Sequence, residues 1–188
     1  RHSRVLPPER IPLYRSEIVL RAVPGPQEEA FGKGLGMFFD GLYDITPEAD
    51  RMGYRFEGPE VEHIAGADIV SDAIPLGAIQ VPGHGQPIAM LADRQTTGGY
   101  TKIGVLSSWS VAQLAQRLPG QRVRFRRTTP EEATAVLRDF EERLRRAGSL
   151  RASWRSRQGI PAPQGQGPRH FRLRLEGREY DVQVSPGA

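Results

Sequence analysis

Cysteine is absent from the 188 residues of this chain. Disulfide bonds and thiolate chemistry are therefore excluded, and a reducing compartment is permitted. Long apolar runs are absent too, since none approaches the roughly 20 residues of a membrane-spanning helix, and no signal peptide opens the sequence. Lysine is scarce, with Lys33 and Lys102 as its two representatives. These absences favour a globular protein with no membrane partner, and the cytoplasm is its expected location.

Acidic residues are missing from one long stretch, 143–175, which carries nine arginines. The other 155 residues hold 17 basic and 22 acidic side chains, so the net charge of +4 comes from this stretch. Its sequence RLRRAGSLRASWRSRQG leads into IPAPQGQGP, a composition typical of a solvated linker. We therefore predict a basic Pro/Gly linker at 148–168, and an arm for nucleic acid or an acidic protein is the less favoured interpretation.

Short apolar runs separated by Gly and Pro fill residues 42–127. After a first strand EIVLRAV, the runs are LYDI, GYRFEG, VEHI, DIVSDAI, GAIQV, PIAMLA, KIGVL and RVRFRR. Runs of this length favour a closed or sandwiched β architecture over parallel βαβ units. We predict a mainly β protein with a few helices, built around a small barrel at 17–147. Residues 1–16, with three prolines, are expected to form an extended lead-in.

Three segments have the spacing of helices: 27–40, 110–118 and 129–148. In the second, Ser110 is the expected N-cap, and the apolar residues that follow share one face. The third is the clearest, because Thr129 can cap it and arginines fill its last turn before Gly148. The helices should therefore be few and should flank the barrel.

The C-terminal segment HFRLRLEGREYDVQVSP alternates around Glu176-Gly177, which predicts a β-hairpin within 169–188. Two strands alone are marginally stable in water. We therefore expect the hairpin to dock on the barrel or on a neighbouring chain, with Trp154 of the linker as an anchor.

A first group of functional side chains lies in PEADRMGYRFEG, where Asp50 and Arg51 precede a turn and Arg55 follows it. Arginine offers a planar fork that matches carboxylate or carbonyl oxygens. From these residues alone a salt-bridged turn entering a strand is the favoured interpretation, and a binding site is the alternative.

A second group lies in IPLGAIQVPGHGQPI. Alternation places Gln80 on the face opposite Ile79 and Val81, and if that face is the barrel interior, its amide needs a ligand or a polar neighbour. The histidines match no metal-site spacing, so no metal is predicted and they are expected to be ordinary surface residues. They are His2, His63, His84 and His170.

The third group, DRQTTGGY, separates two apolar runs that need only a short turn between them. Gly98-Gly99 lets the backbone approach a ligand closely, and the threonines before it can donate to an oxyanion. Tyr100 can donate a proton. The segment is not a phosphate-binding P-loop, and the chain has no Gly-x-Ser-x-Gly elbow. The residues alone predict a polar pocket in a β-barrel.

Three stretches carry a family resemblance: DRMGYRFEGP, PLGAIQVPGHGQPIAMLADRQTTGGYTKIGVL and LPGQRVRFRR. From about Ile18 to Leu144 the chain resembles the C-terminal half of the allophanate hydrolase subunit 2 family. That family includes the carboxyltransferase domain of urea carboxylase and the C subunit of bacterial 5-oxoprolinase. The resemblance implies a cyclophilin-like β-barrel in which the third group borders the substrate cavity.

The resemblance also implies a function and roles for particular residues. The chain would be a fragment of a biotin-dependent carboxyltransferase subunit, or of a related enzyme that processes amides or lactams. Arginines would neutralise carboxylate or enolate-like charge, amide and hydroxyl groups would hold the substrate, and Tyr100 would assist proton transfer. The catalytic candidates are Asp93, Arg94 and Tyr100. The substrate-binding candidates are Asp50, Arg51, Arg55, Gln80, Gln95, Thr96, Thr97, Gly98 and Gly99. At position 84 the family more often carries Asp or Asn, which disfavours His84 as a catalyst.

Partners follow from the same resemblance. The chain would work with an allophanate hydrolase subunit 1-type partner and with the N-terminal half of its own subunit, and alone it would be inactive. Biotin would be carried by a partner, or ATP would be bound by a partner subunit. The hairpin resembles the opening strands of a biotin-carrier domain, but neither Lys33 nor Lys102 has the context of a biotinylated lysine. The alternative function is a regulatory binding module that antagonises a histidine-kinase inhibitor.

Overall fold

A computed structural model describes residues 15–157, 169–175 and 178–184, with side chains from 15 to 146. The first strands are β1 (Glu17–Pro24), β2 (Leu42–Ile45), β3 (Gly53–Glu57), β4 (Asp68–Ala73), β5 (Ala78–Gln80), β6 (Ile88–Met90), β7 (Thr97–Tyr100), β8 (Lys102–Leu106) and β9 (Arg122–Arg127). The helices are α1 (Lys33–Asp40), α2 (Ser108–Leu114) and α3 (Pro130–Arg157), with a 3-10 turn at Glu28–Phe31. The last strands are β10 (Arg169–Leu175) and β11 (Arg178–Val184).

Seven of the strands close into a barrel in the order β1-β8-β5-β6-β3-β2-β9. The barrel closes where β9 pairs with β1 in parallel, and its other neighbouring strands are antiparallel. Because the barrel is closed, each of its strands pairs with a neighbour on both sides and no strand edge is left unpaired. Strands of only three to eight residues can therefore form the barrel. The predicted mainly β fold with a small barrel and a few helices is confirmed.

The barrel interior is filled by apolar side chains that alternate along the strands. Leu20, Ile79 and Ile103 are fully buried there. Aromatic rings complete the core: Phe125 stacks on Phe38 of α1 with ring centroids 4.4 Å apart and meets Phe56 edge-on at 5.3 Å. Helix α1 therefore packs its apolar face against the barrel, as its sequence spacing predicts.

Strands β4 and β7 form a separate two-stranded sheet, hereafter the ribbon. Ile74, directly after β4, packs with Ala78, Met90 and Ile88 in a second apolar cluster. These three partners lie on β5 and β6, and none belongs to the main core cluster. The ribbon therefore packs on the outer face of the barrel wall.

Two elements predicted within residues 27–64 are wrong. Residues 61–64, expected to be a strand, form a loop in which Val61 N donates to Gly85 O and Ile64 N to Ala30 O. The helix expected at 27–40 is interrupted at Gly32, whose φ of 48° separates the 3-10 turn from α1. A positive φ is accessible to glycine at little cost, so the chain bends there.

Helix α2 also differs from its prediction, because Ser107 caps it and Ser110 lies inside it. Ser107 Oγ accepts from Ser110 N, and Ser110 Oγ accepts from Arg21 N of β1. The helix ends at Leu114, so Leu118, expected on its apolar face, is 67% exposed. Leu118 precedes a proline, and this disfavours the helical conformation there.

Helix α3 begins as predicted and ends later. Thr129 Oγ1 accepts from Glu132 N, and Glu132 accepts from Thr129 N, which forms a capping box. The helix continues through Gly148 to Arg157, so 148–157, expected to be linker, is helical. The residues after Gly148 include Leu, Ala and Arg, whose helix propensities offset one glycine.

The chain divides into two compact units, residues 1–139 and 140–188. In the second unit β10 pairs antiparallel with β11, from Arg169 opposite Val184 to Leu175 opposite Arg178. The predicted hairpin is thus confirmed. The docking of that hairpin stays a prediction, and the Trp154 side chain and residues 1–14 and 158–168 lie outside the described part. No helix in the described ranges is long and apolar enough to cross a membrane.

Candidate functional site

Four side chains form a row across neighbouring strands on the outer face of the barrel. Arg55 of β3 lies opposite Ile88 of β6, Ile88 opposite Gln80 of β5, and Gln80 opposite Lys102 of β8. Adjacent strands are about 5 Å apart, so the row spans roughly 15 Å. It passes from an exposed arginine to an amide and an ammonium group that are each 2% exposed.

The strand pattern explains why these residues share a face. Ile79 belongs to the main core, so Gln80 points away from it, as alternation predicts. The sequence alone left open whether the Gln80 face is the barrel interior. The structure shows that it is the outer face of the barrel, under the ribbon. On β8 the register shifts: Gly104 lies opposite Ile79 and Lys102 opposite Gln80, so Ile103 is skipped. This bulge aligns Lys102 with the row.

The ribbon brings the DRQTTGGY segment onto this face. Its second half is strand β7, which pairs with β4 through Thr97 opposite Ala73 and Gly98 opposite Asp72. The sequence gives little signal for this strand, because two adjacent glycines weaken β propensity and the partner strand is distant. The segment is thus half loop and half strand.

Gly98 is the point where two amide side chains converge. A Cβ at this position would lie 3.0 Å from Gln80 Nε2, 3.5 Å from Gln95 Nε2 and 2.6 Å from Ile74 Cδ1. Gln80 Nε2 also donates to Tyr100 O over a long 3.5 Å. Gly98 therefore allows the ribbon to approach the buried amide closely, a role that requires the absence of a side chain.

Lys102 is a buried cation that the sequence prediction missed as a site residue. Its Nζ donates to Asp72 Oδ2 at 2.8 Å, and Asp72, on β4, is 50% exposed. The pKa of the Asp72 carboxyl is lowered, first by the hydrogen bond from Lys102 and then by the N–H of Ala73. The Gln27 side chain also bonds Asp72 and accepts from Lys102 N. The sequence contained a signal for this position. Lys102 directly follows TTGGYT and precedes the core residue Ile103 on the same strand, so alternation places its side chain on the face opposite the core.

The loops around Arg51 and Asp93 lie side by side. Asp93 N donates to Arg51 O, and the Arg51 guanidinium makes two bonds to the Asp93 carboxylate, of 2.8 and 3.1 Å. Asp50 Oδ1 accepts from Met52 N and Gly53 N, which shapes the turn. Three predicted site residues are thus together, and Arg51 and Asp93 face solvent.

Arg94 connects the loop to the ribbon through backbone carbonyls. Its Nε donates to Ile74 O at 3.0 Å and its Nη1 to Leu91 O at 3.2 Å. Ile74 N in turn donates to Thr96 O. These contacts hold the end of β4 beside the loop, and a direct catalytic role of Arg94 stays a prediction.

The other predicted residues divide between two places. Gln95, Thr96, Thr97 and Tyr100 are exposed along the ribbon, and Gly99 is half-buried. Arg55 instead lines an open cleft of about 570 Å³ at the other end of the row. Its polar lining includes Thr46, Glu48, His84 and Gln86. Arg55 and Gln80 therefore share the outer face, but no described contact joins Arg55 to Arg51 or Arg94.

The histidines differ from one another. His84 is exposed, as expected. His63 is half-buried beside Phe31, its Nε2 lies 3.0 Å from Thr101 Oγ1, and burial lowers the pKa of its ring. The expectation of a surface residue is therefore wrong for His63. Within the described ranges, no group of three or more His, Cys, Asp or Glu side chains is arranged to hold a metal ion.

Comparison with known proteins identifies the family and agrees with the barrel fold. The family model "Carboxyltransferase domain, subdomain A and B" matches residues 1–127. The C subunit of 5-oxoprolinase from Haemophilus influenzae is 37% identical over 124 residues, 65% of this chain and 40% of that protein. The corresponding C subunit from Escherichia coli is 33% identical over 121 residues, 64% of this chain and 39% of that protein.

A solved structure shares the fold. The urea carboxylase of Kluyveromyces lactis matches 65% of this chain and 12% of its own with a TM-score of 0.61, and its 20% identity supports the fold alone. The chain spans about 40% of the length of the curated relatives it matches.

Proposed function

Because the chain belongs to the carboxyltransferase domain family, subdomain A and B, we propose that it is part of an enzyme subunit that holds a small amide, urea or lactam on the outer face of the barrel. The observation that carries the proposal is the buried Gln80 amide at the centre of the polar row, directly under Gly98 of the ribbon. Both residues come from the motifs that resemble the family. The matched relatives are named as 5-oxoprolinase subunits, so 5-oxoproline is the first lactam to test.

The row offers groups that complement such a substrate. A glutamine side chain donates and accepts, so Gln80 can pair with both sides of a substrate amide. Arg55 provides a permanent cation at the open end, where charge that develops on oxygen would be stabilised. Thr97 and Tyr100 present hydroxyl groups from the ribbon, and Tyr100 is the proposed proton donor.

The donor set is also compatible with a biotin carried by a partner. Biotin, when bound, would supply the carboxyl group for transfer, and Arg55 and Gln80 would hold the ureido and carboxyl oxygens. Cations and amide N–H groups suit those oxygens, and the open cleft at Arg55 leaves that end of the row accessible. In the 5-oxoprolinase reaction, by contrast, a partner subunit would use ATP and this face would position the lactam.

The proposal includes assembly with other chains. We propose an allophanate hydrolase subunit 1-type partner and the other half of the same subunit. The isolated chain is then expected to bind substrate without completing the chemistry.

Turnover in a reconstituted assembly tests the proposal. The assembly, with wild-type chain, is assayed with 5-oxoproline and ATP and with urea, bicarbonate, ATP and a biotin carrier. Gln80→Leu, which keeps size and removes the amide, should lower kcat/KM by roughly tenfold or more. Gln116→Leu is the control, since the side chain of this exposed residue has its described hydrogen bond with Ala112 O, four residues earlier. Turnover of neither substrate, or an unchanged Gln80→Leu enzyme, would contradict the proposal.

A further inference from the structure

We propose that Lys102 Nζ is the carboxylate-binding group of this site and that Asp72 occupies it in the free protein until a carboxylate ligand displaces it. The inference rests on the proposed function, since it names the group that recognises the acidic part of the substrate.

The bonding of Lys102 is incomplete for a buried ammonium group. The side chain is 2% exposed and has three N–H donors. Within the part of the chain that the structure describes, Asp72 is its one hydrogen-bonding partner. Burial of a charge is costly unless it is paired and its donors are satisfied. Asp72 offers Lys102 one oxygen, because its Oδ1 accepts from Ala73 N, whereas an incoming carboxylate could accept through both of its oxygens.

Asp72 lies on an exposed strand, although Ala73 N and the Gln27 side chain also bond its carboxylate. It is half exposed on β4, whose residues are mostly exposed, and its pairing with β7 shifts register between Asp68 and Asp72. A two-stranded ribbon is marginally stable alone. Displacement of Asp72 would exchange one carboxylate for another at Lys102 while the apolar contacts of Ile74 remain.

The position of Lys102 specifies the ligand class. Lys102 lies opposite Gln80 in register, so their Cα atoms are about one strand spacing apart, roughly 5 Å, and an ammonium and an amide leave neighbouring strands on the same face. A ligand that uses both needs a carboxylate close to an amide. In 5-oxoproline the carboxylate is on the carbon next to the lactam nitrogen, which fits this spacing. The structure therefore favours a lactam or amide that carries a carboxylate over a neutral amide.

Two substitutions of the same ion pair should have opposite effects. Lys102→Met removes the ammonium group and should weaken 5-oxoproline binding by roughly tenfold or more, the loss of one charged hydrogen bond. Asp72→Asn removes the competing carboxylate and should tighten binding about three- to tenfold. Calorimetric titration of the 188-residue chain measures both. The neutral lactam 2-pyrrolidinone should bind all variants equally, and Arg124→Met, which breaks a distant pair with Glu17, is the control.

The outcomes separate the two proposals. Weaker binding in both ion-pair variants would show that the pair is only structural, and unchanged binding in Lys102→Met would exclude contact with the carboxylate; either result overturns the inference and leaves the proposed function standing. If wild type binds neither lactam, the inference fails, and turnover of urea or 5-oxoproline in the reconstituted assembly then decides whether the proposed function stands. If Lys102→Met does not fold, Asp72→Asn alone decides, because tighter binding supports displacement and unchanged or weaker binding refutes it.

Discussion

The two faces of strands β5 and β8 are buried to the same extent by different means. Inside the barrel, Ile79 and Ile103 are covered by strand closure and by aromatic rings. Outside, Gln80 and Lys102 are equally buried, but beneath a two-stranded ribbon. Apolar burial stabilises the fold directly, whereas buried polar groups need partners to offset their desolvation. The comparison indicates that the inner face holds the fold together, and the outer face is the one that we propose for binding.

The largest effect is expected on the inner face. Phe125→Ala removes a ring that contacts the rings of Phe38, Tyr43 and Phe56. Loss of such a ring and the cavity it leaves should lower the free energy of unfolding by about 3–5 kcal/mol. Urea denaturation measures it. A loss below about 1 kcal/mol would mean that the barrel interior does not dominate stability.

An intermediate effect is expected at the boundary between ribbon and wall. Gly98→Ala places a Cβ 2.6 Å from Ile74 Cδ1 and 3.0 Å from Gln80 Nε2, which forces the ribbon or the amide to shift. Unfolding free energy should fall by about 1–3 kcal/mol, and 5-oxoproline binding should weaken in calorimetric titration. Gly99→Ala is the matched control, because its Cβ would approach only Ile69 O, at 3.3 Å. Equal effects of the two alanines would argue against close packing at Gly98.

The smallest effect concerns the exposed end of the ion pair. The pKa of Asp72 is lowered from its ordinary 3.8 by Lys102, so its ionised form stabilises the folded state. That contribution is complete above pH 3.8 and is lost as the pH falls through the lowered pKa. The unfolding free energies of wild type and Asp72→Asn should therefore differ at neutral pH and converge in strong acid. A difference that persists unchanged to the lowest pH would contradict the ion pair.

Much of the fold could be predicted from local patterns. The strands LYDI and RVRFRR have the bounds that their alternation indicates, and Thr129 caps α3 as its position suggests. The resemblance to the allophanate hydrolase subunit 2 family is also confirmed, through the family match and the 5-oxoprolinase relatives. The wrong predictions concern places where contacts between distant residues determine the local structure, as at residues 61–64 and Gly32. Beyond Gly148, the summed helix propensity of the following residues outweighs one glycine.

Sequence alone determined that this chain forms a small barrel, because alternation and turn chemistry act over a few residues. That Gln80, Arg94 and the TTGGY segment belong to one motif came from the family resemblance. Only the tertiary structure decided that Gln80 lies on the outer face of the wall, under the ribbon, and that Lys102 shares this face. That depends on the pairing of 68–73 with 97–100 and on the bulge that skips Ile103. Both are contacts between distant parts of the chain, and one shift of register moves a side chain to the opposite face.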